Sequence, residues 1–210
     1  TAMAYGTDTM RMLTDIAAEH DLLIISDEIY TNYMYSLPFM PIRTVPGAAE
    51  RTITLNSFSK NFLMTGWRVG AIIAEPELIS TMQRINGALI YAAPSVSQRA
   101  AIQALRDRQS IRERYVKEYR DRVLYAAERI KRIPYFELCE PHGTFYLFPS
   151  IRRTGLGSAQ FCAELLDKAH ILAAAGAAFG KTGEGHIRIA CTVGIDKLRE
   201  AFDRMDRLKF

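Results

Sequence analysis

Three short apolar runs, at residues 22–25, 52–55 and 69–74, constrain the fold of this chain more than any other feature. They are rich in Ile, Leu, Val and Thr and too short for stable helices, so they read as strands. The first is apolar on both faces, as a buried parallel strand is. Before it, Met10, Leu13, Ile16 and Ala17 recur at helical spacing and predict a helix over 7–20, with Thr7 placed to cap its start. Residues 33–50 carry Pro38, Pro41, Pro46 and Gly47 and predict a long irregular connection instead of a crossover helix. Three strands with so little helix between them cannot cover both faces of a doubly wound sheet. The expectation is that the chain opens inside a domain whose other strands lie upstream.

Residues 106–132 form the longest periodic segment. Ile111, Tyr115, Tyr119, Val123, Ala127 and Ile130 make one apolar stripe, with Arg112, Arg120, Arg122, Arg129 and Lys131 largely on other faces. After Pro134 the pattern changes to strands at 135–139 and 145–148, a helix at 159–169, strands at 171–174 and 186–191, and a helix at 196–208. That succession is α+β in character. The overall expectation is an α/β protein in two parts, with the boundary inside the long helix. Residues 1–118 belong to a mostly parallel sheet with helices, and 119–210 to a small α+β domain.

Composition narrows the function classes. A 49% hydrophobic, 24% charged chain with net charge +4 is ordinary for a folded domain. The basic residues of 106–132 lack interleaved aromatics or a docking motif, so nucleic acid is not an expected partner. No apolar run approaches the length of a membrane span, and no leader-like segment opens the chain, so a cytoplasmic protein is expected. Cys139, Cys162 and Cys191 are widely spread and form no Cys-x-x-Cys pair, and His20, His142, His170 and His186 lack ligand spacing, so no metal site is expected.

Several partial motifs fail on inspection. Ser57 and Lys60 match Ser-x-x-Lys, and Lys181-Thr182-Gly183 matches the Lys-Thr-Gly of penicillin-recognising enzymes, but the middle motif of that set is missing. The turn at 176–182 resembles a phosphate-binding Gly-rich loop, except that position 175 is alanine where the spacing requires glycine. What remains is a group of polar residues around the ends of the apolar runs. Asp27 follows the first run and Tyr30 lies three residues on; Ser57 and Lys60 follow the second, and Arg68 opens the third. Ligands of open α/β sheets bind beyond the carboxyl ends of the strands. Singly, Asp27 could cap a turn, Ser57 could satisfy loop amides, and Lys60 or Arg68 could be solvated. Together they offer an anion, a phenol, a hydroxyl, an amine nucleophile and a guanidinium.

Residues 26–30 (Ser-Asp-Glu-Ile-Tyr) and 57–70, running from Ser57 through Lys60, Gly66, Trp67 and Arg68 to Gly70, resemble the two central motifs of class I/II aminotransferases of fold type I. Residues 93–98, 141–149 and 180–190 extend the resemblance over essentially the whole chain. Departures are His142, where a second glycine is frequent, and Ala173 to Ala175, where valine and proline are common. The resemblance implies the C-terminal portion of such an enzyme, with pyridoxal 5′-phosphate as cofactor. It implies that Lys60 holds the cofactor as a Schiff base, Asp27 pairs with the pyridine nitrogen and Tyr30 bonds the ring oxygen. Ser57 and Arg68 hold the phosphate, and Arg188 binds the substrate α-carboxylate. An amine suits the first role because only an amine forms an imine with an aldehyde. Arginine suits the last because its planar fork donates two parallel hydrogen bonds. The implied reaction is amino-group transfer between an α-amino acid and a 2-oxo acid, in a homodimer. A lyase or synthase on the same scaffold, and the non-enzymatic sensor half of a transcription regulator, are the competing readings.

Overall fold

The computed structural model describes residues 1–210. They form two compact units, one of residues 4–116 and one of residues 1–3 with 117–210.

The unit 4–116 is built on a three-stranded sheet: β1 (Ile24–Asp27), β2 (Thr52–Ser57) and β3 (Gly70–Ile73), in the order β1-β2-β3. β1 and β2 are parallel, pairing Asp27 with Leu55, while β2 and β3 are antiparallel, pairing Ser57 with Gly70. The chain reverses because the β2–β3 connection is spent on a one-turn helix, α2 (Phe58–Asn61), and a 3-10 turn at Thr65–Trp67. At Gly70 any Cβ would lie 2.7 Å from the Asn56 carbonyl oxygen, so this pairing requires glycine.

Helix α1 (Thr7–Glu19) precedes the sheet, but its N-cap is Gly6 without a side-chain cap, and Thr7 is already helical. The expected Thr7 cap is therefore corrected. The connection at 33–50 is irregular, with 3-10 turns at Ile42–Thr44 and Ala49–Arg51. It still has a packing role, since Ile42, Val45 and Ala48 form a buried cluster with Met10, Ile24 and Met40. That cluster covers one face of β1 only. Ile25 is 68% exposed and Leu22 and Leu23 are also exposed, so the expected burial of this strand on both faces does not occur within these residues. Beyond β3 come α3 (Pro76–Leu89), with proline in its first turn, and α4 (Ser95–Arg106). A second core of Met64, Val69, Ala101 and Ala104, joined by Phe58 and Phe62, packs α2 against α4.

The long helical segment is interrupted at Asp107, after which α5 (Arg108–Arg132) runs for 25 residues. Its stripe packs most tightly in its second half, where Val123, Ala126, Ala127 and Ile130 are buried. Arg122 and Arg129 depart from the expected solvated face. Both are largely covered: Arg122 donates to the Thr192 carbonyl and pairs with Glu118, and Arg129 donates to Asp203 at 2.6 Å and to the Tyr125 hydroxyl at 3.0 Å.

The unit containing 117–210 has a small antiparallel sheet, β4 (Tyr146–Leu147), β5 (Ala174–Ala175) and β6 (Ile187–Ala190), with β6 in the middle. Helices α6 (Ser158–Ala169) and α7 (Ile195–Asp206) bury Phe161, Leu165, Leu198, Phe202 and Met205. Residues 135–139 form no strand, only a bridge from Glu137 to Ser150. The reason lies in their side chains: Tyr135 and Phe136 turn into an aromatic cluster with Phe161, and the Tyr135 hydroxyl donates to the Met205 carbonyl at 2.6 Å. The strand expected over 171–174 is shifted to β5, Ala174–Ala175. Two 3-10 turns follow it, and there Gly176 and Gly183 cross so closely that a Cβ on Gly176 would lie 2.0 Å from the Gly183 oxygen.

Helix α6 has no local cap; Glu184 supplies one from 26 residues away, accepting from the Ser158 amide at 2.7 Å and the Ser158 hydroxyl at 2.8 Å. These bonds and one from the Gly185 amide hold the Glu184 carboxyl below its ordinary value of 4.5. A carboxyl lowered by folding stabilises the folded state above its unfolded pKa, and that stability is lost as pH falls from about 4.5 through the folded value. Glu184→Gln is accordingly expected to lower the urea midpoint at pH 7, with the gap from the parent chain closing as the pH falls below about 4.5.

Candidate active site

The parallel pairing of β1 with β2 brings their carboxyl ends to one edge of the sheet, and the antiparallel return starts β3 there too. Asp27 is the last residue of β1 and Ser57 the last of β2. Arg68 lies two residues before β3, and Lys60 is in α2 directly beyond β2. Four of the expected residues are thus gathered at one edge. Pairing and strand alternation put Asp27, Leu55, Ser57 and Gly70 on the same face, with Ser57 about 7 Å further along β2 than the partner of Asp27.

The Ser57 hydroxyl oxygen accepts from the Ser59 amide at 3.1 Å and caps α2, leaving its O–H proton to donate elsewhere. Arg68 is exposed, with one guanidinium nitrogen donating to the Thr65 carbonyl at 2.8 Å. Its backbone is left-handed at φ 52°, uncommon outside glycine and asparagine. Asp27 is exposed and Lys60 half-buried, and neither side chain has a hydrogen-bond or ion-pair partner within the chain. Tyr30 is half-buried in the turn after β1.

Several residues around this edge escaped the reading of the sequence. Asn61 is buried, receives the Asn32 amide on its Oδ1 at 3.1 Å and donates to the Thr31 hydroxyl at 2.8 Å. Tyr33 is buried and donates its hydroxyl to the Lys60 carbonyl at 2.9 Å. Glu28, beside Asp27 but on the opposite face, is 8% exposed and accepts from the Ser26 hydroxyl at 3.0 Å. Burial pushes its carboxyl up, opposed by the Ser26 hydrogen bond and the charge of Arg43. The signal for Asn61 and Tyr33 was their adjacency to Lys60 and Tyr30, but their partners lie 27 to 30 residues away in sequence.

Arg188 belongs to the other unit. It sits on β6 opposite Ala174, and its guanidinium carbon is 4.5 Å from the ring centroids of both Tyr146 and Phe179. Two ring contacts restrain the plane of a flexible side chain. Phe179 is in turn edge-on to Phe148, which stacks on His186.

Comparison with known proteins identifies the family: the model of aminotransferase class I and II matches residues 1–205. The chain belongs to this family. It is 37% identical to an aspartate aminotransferase of Pyrococcus horikoshii over 99% of its own length and 53% of that protein's. It is 38% identical to aromatic-amino-acid aminotransferase 2 of Thermococcus litoralis, over 93% of this chain and 51% of the relative. The solved structure of an aromatic aminotransferase from Pyrococcus horikoshii superposes with a TM-score of 0.95 at 37% identity, covering 99% of this chain and 56% of that one. The chain spans about half the length of the curated relatives it matches. Its α/β fold is therefore that of the C-terminal portion of a class I/II aminotransferase. No helix is long and apolar enough to cross a membrane.

The left-handed conformation of Arg68 yields a test independent of activity. Arg68→Asn should unfold in urea near the parent midpoint, whereas Arg68→Val should cost about 1–2 kcal/mol more, because a β-branched residue resists this region.

Proposed function

We propose that these residues are part of a pyridoxal-5′-phosphate-dependent aminotransferase, acting between an α-amino acid and a 2-oxo acid. The observation that carries this reading is the gathering of Asp27, Ser57, Lys60 and Arg68 at one sheet edge, with the Asp27 and Lys60 side chains uncommitted. The donor set suits the cofactor: a carboxylate for a ring nitrogen, a phenol for a ring oxygen, a hydroxyl and a guanidinium for a phosphate, and an amine for an aldehyde. In this reading residues 1–118 are part of the large cofactor-binding domain and 119–210 are the small domain. The working form is a cytoplasmic homodimer.

When bound, the cofactor supplies an electron sink for the substrate Cα. Asp27 would pair its carboxyl with the ring nitrogen. Tyr30 would donate to the ring oxygen, and Ser57 and Arg68 would hold the phosphate. The Lys60 Nζ is the attachment point. Its amine would also be the group that takes and returns the proton at the substrate Cα. Arg188 binds the α-carboxylate with its fork, which fixes which Cα bond is aligned for cleavage. Tyr146 and Phe179 keep that fork in plane. The named relatives act on aspartate and on aromatic amino acids, which share the α-amino and α-carboxylate groups these residues address.

In the full-length protein, mixing the cofactor-loaded enzyme with amino acids one at a time should release the matching 2-oxo acid in one equivalent per site. No oxo acid from any amino acid would refute the proposal, and continuous release of pyruvate and ammonia without added oxo acid would indicate a lyase. Lys60→Ala should lose borohydride-trapped cofactor and fall in kcat by about 10²–10⁴-fold. Arg188→Lys should raise KM for the amino acid by roughly tenfold or more, since charge remains but the bidentate fork is lost.

A further inference from the structure

Helix α2, which carries Lys60, is a single turn of four residues. A helix this short has no stability of its own, so its position is set by what holds it. Ser57 caps its start, and Phe58 and Phe62, stacked at 5.0 Å, pack it into the core with α4. The Phe58 amide also donates to the Val69 carbonyl at 3.2 Å, and a further set of four hydrogen bonds joins α2 to residues 31–33, the segment directly after Tyr30. The Asn32 amide donates to Asn61 Oδ1 at 3.1 Å, and Asn32 Nδ2 donates to the Asn61 carbonyl at 3.2 Å. Asn61 Nδ2 donates to Thr31 Oγ1 at 2.8 Å, and the Tyr33 hydroxyl donates to the Lys60 carbonyl at 2.9 Å. Asn61 is 6% exposed and Tyr33 1%, so these bonds do not exchange readily with water.

The segment pinned here continues directly from Asp27 and Tyr30. We propose that Asn61 and Tyr33 are positioning residues that set the Lys60 amine against the ring-binding residues Asp27 and Tyr30. The inference rests on the reading that Lys60 carries the cofactor. Neither residue touches the reacting atoms. Tyr33 acts on the backbone of Lys60 itself, and Asn61 locks the next residue to the β1 loop from both its side chain and its carbonyl. An amine displaced by even about 1 Å from the bond it attacks loses up to about a hundredfold in rate, so four bonds across this join bear on chemistry as well as on folding.

The test uses the full-length, cofactor-loaded enzyme with three variants: Tyr33→Phe, Asn61→Ala and Lys60→Ala. Tyr33→Phe removes one O–H and leaves the ring in place. If the inference holds, Tyr33→Phe and Asn61→Ala keep borohydride-trapped cofactor but lower kcat about 10–100-fold with KM nearly unchanged. They also move the pH midpoint of the bound cofactor's visible absorbance by about half a unit or more, because the amine meets the ring in a different geometry. A Tyr33→Phe enzyme with the parent kcat and pH midpoint overturns it, and decides alone should Asn61→Ala not fold. Cofactor still trapped on Lys60→Ala overturns the underlying assignment instead, and that result is distinct because the attachment itself survives.

Discussion

Parallel pairing of β1 and β2 is the constraint from which the arrangement at the sheet edge follows. Because both strands run the same way, their last residues, Asp27 and Ser57, emerge at the same edge and on the same face. Because β3 returns antiparallel, Arg68 enters from that edge instead of the far one. A reversal of either pairing would place the acid, the hydroxyl and the guanidinium at opposite ends of strands roughly 13–20 Å long. The tight antiparallel pairing needs Gly70, so one residue without a side chain holds the edge together.

Within these residues the covered face of the sheet is the more polar one. The face that is covered holds Thr52, Thr54 and Glu28, while Ile25, on the Asp27 face, is mostly exposed. Thr52 donates to the Ala48 carbonyl at 2.6 Å and Ser26 donates to Glu28, whereas the covered Thr54 hydroxyl has no partner.

Much of this was legible in the sequence because it is local. The apolar runs located β1, β2 and β3 to within two residues, and periodicity located α1, α5, α6 and α7 almost as closely. The motif around Lys60 was legible because a long run of specific residues occurs in one place. Neither α3 nor α4 was assigned from the sequence, and much else that stayed hidden depends on the surroundings of a residue. Thr7 looks like a cap, but the helix begins one residue too early for it to serve. Residues 135–139 read as a strand, yet Tyr135 and Phe136 are both buried in the aromatic cluster beside Phe161. Arg122 and Arg129 look like solvated charges until Thr192 and Asp203 arrive from α7 and the turn before it. Asn61 reads as one more polar residue beside a lysine until the β1 loop reaches it.

The turn that follows β5 has the glycine-rich, polar look of a segment free to vary, but its geometry says otherwise. Gly176 rests against Gly183, and Glu184 immediately afterwards is committed to the first amide of α6. The number of residues between these points is therefore as tightly specified as their identity. An inserted residue here would uncap a helix and shift the register of β6, and with it the strand position from which Arg188 projects. Length variation among such chains is best accommodated elsewhere, in exposed connections whose two ends are not tied to each other.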